Sequence, residues 1–169
     1  NGNRKEVSFA FEYIPLLAIR MVYPDYEPVE YETIAGMVLM ELASNHIEAL
    51  EENAPELFEY DLSENRLEPR IVITHIVPGS YAHQMGMLRE GDIITHVNGK
   101  KVGKLQDVRR HIHESAATGY VTLATQVGVF IVFSLKKILD DELRIAHDFL
   151  YPVSKMVHKL YRAVEKTQE

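Results

Sequence analysis

The stretch RIVITHIVPGSYAHQMGMLREGDIITHVNGKKV, residues 70–102, decides how this chain is read. Ile71-Val72-Ile73-Thr74-His75-Ile76-Val77 is apolar and largely β-branched. It is too short for a typical helix and is stopped by Pro78-Gly79, so a strand is expected. Ser80 is placed to cap a short helix over Tyr81–Met85, and Gly86 to end it in a left-handed conformation. Gly91-Asp92 turns the chain into a second strand, Ile93–Val97, and Asn98-Gly99 is a strong hairpin signal. The order is strand, helical turn, strand, tight turn, strand, with a suitable residue at each boundary.

In that order and spacing the run PGSYAHQMGMLREGDIITHVNGKKV resembles the central signature of PDZ domains in the HtrA/Deg family of serine proteases. The family likewise shows a Pro-Gly-Ser turn, an Ala-containing helical turn ending in Gly, a Gly-Asp, and a Val-Asn-Gly hairpin. Tyr81 departs from it, standing where a second proline is usual. The resemblance implies a mostly β, α+β fold. That fold is a PDZ-like, partly open β-sandwich of five to six strands capped by two helices, here with a C-terminal helical extension.

Outward on the N-terminal side, Tyr31-Glu32-Thr33-Ile34-Ala35-Gly36-Met37-Val38-Leu39-Met40-Glu41-Leu42 is an apolar strand broken near its start by Gly36. An isolated Gly there marks a bulge or a close backbone approach. The resemblance places the carboxylate-binding loop at Ile34-Ala35-Gly36 and the groove strand at Met37, Val38 and Leu39. A glycine-containing loop with unpaired N–H groups is suited to hold a chain-terminal carboxylate. Glu30 and Glu32 are acidic where many PDZ domains carry a basic residue before the loop. Aromatic residues followed by an Ala-Gly pair and a hydrophobic strand are most similar to the second PDZ of plant-type Deg proteases.

Residues 44–68 are helical in pattern and strongly acidic. Asn45 with Glu48 forms a candidate capping box, Ile47 and Leu50 an apolar side, and Pro55 a helix start with Leu57, Phe58 and Tyr60 expected inward. The carboxylates of this insertion are expected on a solvated face. Further upstream, Val7, Phe9, Phe11 and Tyr13 alternate with Ser8, Ala10 and Glu12 as a half-buried strand would, and Pro15 stops it. Residues 1–30 therefore read as strand plus an acidic, Pro-containing linker. They are either an edge hairpin of the same domain or the end of a preceding one.

On the C-terminal side, Leu105, Val108 and Ile112 form one helical stripe over Lys104–His113. In a PDZ domain this helix is the other wall of the groove, with Lys104, Val108 and His111 expected nearest the peptide. Tyr120–Thr125 and Val129–Leu135 read as a hairpin about Gln126-Val127-Gly128, which completes a PDZ unit over residues 31–138. Residues 139–169 read as amphipathic helices. Asp140 or Asp141 would cap one carrying Leu143, Ala146, Phe149 and Leu150. After Pro152 a second carries Val153, Met156, Val157, Leu160, Tyr161 and Val164, with Lys155, Lys159, Arg162 and Lys166 opposite. Packing on the domain or on a second subunit is expected for that stripe, rather than on a membrane.

The composition bounds the function. A net charge of −7 disfavours nucleic acid and anionic lipid. The count of 0 Cys excludes thiol chemistry and thiolate metal sites. His111-Ile112-His113-Glu114 lacks the i, i+4 histidine pair of a zinc protease, and neither a Gly-x-Ser-x-Gly nor a trypsin-like Gly-Asn-Ser-Gly-Gly loop is present. No catalytic residue, metal or cofactor is expected in this chain. No signal peptide or membrane-length apolar run is evident, which leaves the compartment open. The resemblance implies a regulatory, peptide-binding PDZ of a trypsin-like serine endopeptidase. Its expected partners are peptide or unfolded-protein segments, its own protease domain and a homo-oligomer. The alternatives are an oligomerisation or structural PDZ whose groove is filled by its own chain, and a free-standing adaptor.

Overall fold

A computed structural model describes residues 7, 8, 10 and 17–165. The strand expected over Val7–Tyr13 and its stop at Pro15 therefore lie largely outside the described residues. Among the described residues, seven strands form one antiparallel sheet: β1 (Glu32–Ile34), β2 (Met37–Glu41), β3 (Ile71–Ile76), β4 (Ile93–Val97), β5 (Lys100–Lys101), β6 (Tyr120–Thr125) and β7 (Phe130–Ser134). The order is β1-β2-β3-β4-β6-β7, with β5 folded back on β4 through the Asn98-Gly99 turn. Asn98 fixes that turn to its surroundings. Its side-chain amide donates to His111 O and Ser115 Oγ, each at 2.7 Å, and its carbonyl accepts from Thr122 N–H at 2.9 Å.

The helices are α1 (Ser44–Ala49), α2 (Tyr81–Met85), α3 (Leu105–Glu114), α4 (Leu135–Asp148) and α5 (Lys155–Glu165). As its sequence predicts, α2 is capped by the Ser80 hydroxyl, which accepts from His83 N–H, and it ends at Gly86 with φ 63°. The central strands of the sheet, β3 and β4, bury residues on both faces, since neighbouring residues point opposite ways. Ile71, Ile73 and Ile94 join the larger core with Leu105, Val108, Ile112, Phe133 and Leu139. Val72 and Ile93 join a second, smaller core with Ile19, Leu42, Ile47, Leu57 and Tyr60. The acidic insertion is thus a solvated face over a real apolar underside. No helix among the described residues is long and apolar enough to cross a membrane.

Several local details differ from the sequence pattern. Asn45 does not cap α1; Ala43 precedes the helix, and its N–H donates to His46 Nδ1 at 3.0 Å. Asn45 instead brackets the backbone of Val22, accepting from its N–H at 2.8 Å and donating to its carbonyl at 3.0 Å. Leu57 and Tyr60 point inward as expected, but Phe58 is half exposed, because Pro55–Asp61 is a 3₁₀ turn whose threefold period brings only those two to the buried side. The helix α4 starts at Leu135, directly after β7, so its buried stripe is Leu135, Ile138, Leu139, Glu142, Ile145 and Ala146. That phase leaves Leu143, Phe149 and Leu150 exposed. Past Pro152, Met156, Val157 and Leu160 of α5 are buried in the larger core, with Val153, Tyr161 and Val164 packed against it.

Candidate peptide-binding site

Ala35 and Gly36 form a two-residue turn with φ of 55° and 80°, both left-handed, as a tight hairpin between twisted strands requires. A side chain at Gly36 would overlap Ser80 and press on Ile145 of α4, so the backbone approaches its neighbours too closely for anything but glycine. The turn folds β1 back on β2 in the register Ile34↔Met37, Thr33↔Val38, Glu32↔Leu39. The opposite edge of β2 pairs with β3. Both edges of the groove strand are therefore occupied, one of them by the chain's own first strand.

The helix α3 packs on β2 and β4 and reaches β1 through a side chain. Arg109 projects from it and donates through Nε to Glu32 Oε2 at 2.9 Å, through Nη1 to Glu30 Oε2 at 3.0 Å and through Nη2 to Tyr31 O at 3.3 Å. Burial opposes the guanidinium charge, but the hydrogen bonds to Glu32 and Glu30 outweigh it and raise the Arg109 pKa. Glu32 is only 3% exposed, so this pair ties β1 to α3 from within. At the other end of α3, Glu41 of β2 accepts from Leu105 N–H at 3.0 Å and caps the helix.

Of the expected site residues, Ile34, Ala35, Met37, Leu39 and Val108 are buried in one core, Gly36 is the turn, and Val38 is half-buried on the outer face of β2. Lys104 precedes α3 and is exposed. His111 is buried, and its backbone carbonyl accepts from Asn98. It is two residues, or about 200°, round the helix from Arg109. Arg109 is the α3 side chain that meets β1, and the sequence stripe passed over it because a charged residue beside an apolar row reads as surface.

The turn is roofed by α4. Asp141 Oδ2 accepts from Tyr81 N–H at 2.7 Å, and Arg144 donates to Gly79 O at 3.3 Å. Between them Glu142 is 0% exposed. Its Oε1 accepts from the Tyr151 hydroxyl at 2.8 Å, while its Oε2 has no hydrogen-bond partner. Burial pushes the Glu142 pKa up. Tyr151, the Thr33 side chain and the Gly36 backbone N–H act against that shift by favouring the charged form. Tyr151 is itself raised by burial and by the Glu142 charge beside it.

Open space remains at the edges. A cavity of about 610 Å³ at the mouth of the groove is lined by Val22, Pro28, Met40, Lys104 and Gln106. Another of about 950 Å³, between α3 and the start of α5, is lined by Tyr31, Arg110, His113, Val153, Lys155 and Met156.

No curated protein matches the chain in sequence. Residues 72–126, from β3 to the end of β6 and including α2, α3 and the Asn98 hairpin, match the family model of the PDZ domain. The chain therefore contains a PDZ domain, a non-catalytic module that binds peptide segments.

Proposed function

We propose that this is an interaction module whose peptide groove is filled at rest by its own strand β1, and that it takes an extended apolar segment when β1 gives way. One observation carries the reading. The strand β1 runs antiparallel to β2, ends at the Ala35-Gly36 turn and sits between β2 and Arg109 of α3, where an added peptide strand would lie. Residues 34–39 and Val108 would then form the wall that a displacing peptide meets. The sequence resemblance supports a wider setting, a regulatory PDZ of an HtrA/Deg-type serine protease acting on unfolded segments within a homo-oligomer. A purely structural role in assembly fits the same closed groove and is the competing outcome of the test.

The test is an NMR titration of the intact chain and of an Arg109→Ala variant with a library of random C-terminal peptides. The native chain should show slow amide exchange at Thr33 and Ile34 and little response at Met37, Val38 and Val108. The variant leaves Glu32 without its partner and should loosen β1, the usual effect of removing one member of a buried pair. Binding should then appear at those residues with an ordinary short-peptide affinity, roughly micromolar or about −8 kcal/mol. Fast exchange at Thr33 and Ile34 with no peptide response would leave the structural role.

A further inference from the structure

At one end of the sheet, β1 is guarded by Arg109, which takes the carboxylates of Glu30 and Glu32 and the Tyr31 carbonyl. The short outer strand β5 is two exposed lysines. Charge of this kind is how a protein keeps a strand edge from pairing with another chain. At the other end, among the described residues, nothing similar guards β7. Residues 129–134 read Val-Phe-Ile-Val-Phe-Ser, without charge or proline, and the β6–β7 register runs without a bulge.

The hydrogen-bond ladder shows which residues of β7 face outward. Thr125 N–H donates to Val129 O at one end of the hairpin, and Leu135 N–H to Gly119 O at the other, each at 2.9 Å. In an antiparallel pair every second residue bonds across to its neighbour strand. The bonded pairs are therefore Leu123↔Ile131 and Val121↔Phe133, and the N–H and C=O of Phe130 and Val132 point away from β6. The side chains of Phe130 and Val132 are 60% and 44% exposed, on the face away from the larger core that takes Ile131 and Phe133. Tyr120 of β6, 57% exposed, continues the apolar strip on that face.

We infer that β7 is a pairing edge for the β7 of a second copy of this chain, antiparallel across a twofold axis beside Ile131. That register sets Phe130 of each copy opposite Val132 of the other, both residues offering their free N–H and C=O. An aromatic residue opposite a β-branched one is among the favourable cross-strand pairs, and the twofold axis repeats it. The axis also keeps the pairing clear of Ser134, whose N–H is already donated to the Tyr81 hydroxyl at 3.4 Å. An uncharged strip gives a foreign strand no charge to be chosen by, whereas this one is complementary to itself. The inference concerns the end of the sheet away from β1 and does not rest on the groove reading.

A strand this short belongs with the weak associations that bury less than about 1,200 Å², so the dimer should form only at high protein concentration. Each copy carries a net charge of −7 and the strip carries none, so added salt should strengthen the dimer. Sedimentation equilibrium of the intact chain over a concentration series should fit a monomer–dimer scheme. Val132→Lys should abolish the dimer, and Val132→Thr, which keeps the branched shape, should retain it. Both changes lie at a partly exposed position and should leave the unfolding midpoint close to that of the native chain. The native chain also decides without any variant. In a mixture of isotope-labelled and unlabelled copies, intermolecular NOEs should join the Phe130 ring to the Val132 methyls. A monomer at every concentration, a dimer that survives Val132→Lys or dissolves in salt, or intermolecular NOEs confined to other residues would overturn the inference. No arm uses a peptide or reads β1, so failure here leaves the groove reading to its own titration.

Discussion

A carboxyl enclosed at a core position makes stability depend on its charge. Burial raises the Glu142 pKa above its ordinary 4.5, with Tyr151, Thr33 and Gly36 holding part of the shift back. An acid whose folded pKa is raised binds its proton more tightly in the native state. Its stabilising contribution is complete below the ordinary value and is lost as the pH rises through the raised one. Glu142→Gln stays neutral throughout. Urea unfolding of both proteins should therefore show the variant gaining on the native chain as the pH rises above the ordinary carboxyl value and through the raised one. A gap that stays constant or narrows would contradict the sign. Glu142 was hidden in the sequence by its phase. It lies three residues past Leu139 and three before Ile145, yet a lone acid in an amphipathic helix reads as part of the wet face. Ser80, Gly86 and Asn98 were legible because each has a local backbone task that few other residues perform.

At the scale of elements, α5 was the most legible part beyond the central stretch. A stripe recurring at 3, 4, 7 and 8 residues has one solution on a helix, and Met156, Val157 and Leu160 lie on its buried side. Leu160 is 0% exposed, so Leu160→Ala should cost about 2–5 kcal/mol in urea unfolding. A cost under about 0.5 kcal/mol would mean that the stripe faces water. The strand β1 was harder to see. It is three residues long, and its turn uses Ala35 in a left-handed conformation that the sequence does not advertise. A glycine inside an apolar run reads equally as a bulge or a close backbone approach, so Gly36 marked a break in the strand without showing that the residues before it fold back as a hairpin. The start of α4 was missed for a related reason. Leu135 follows Ser134 of β7 with no proline or glycine between them, and no local signal separates the strand from the helix.

At the scale of the molecule, the two cores share one sheet, and the larger is completed only by the last two helices. Leu139, Ile145 and Ala146 of α4 and Met156, Val157 and Leu160 of α5 are all buried. A chain ending at Ile138 should therefore lose cooperative unfolding and bind a hydrophobic dye, whatever its mass by light scattering. A truncated chain that unfolds as sharply as the parent would show the two helices to be dispensable. The connector leading into β1 has its own fastenings. Ala18 and Ile19 both donate to Arg66 O, Ser44 N–H donates to Arg20 O, and Asn45 brackets Val22. Mechanically these act as a strain relief. A pull from the chain before residue 17 loads Ile19 and Val22 before it reaches Glu30. The β1–β2 hairpin, which under load would unzip one residue pair at a time, lies behind those anchors. Tugging from upstream is spent on the fastenings, so the latch over the groove answers to α3 and α4, the elements that touch it.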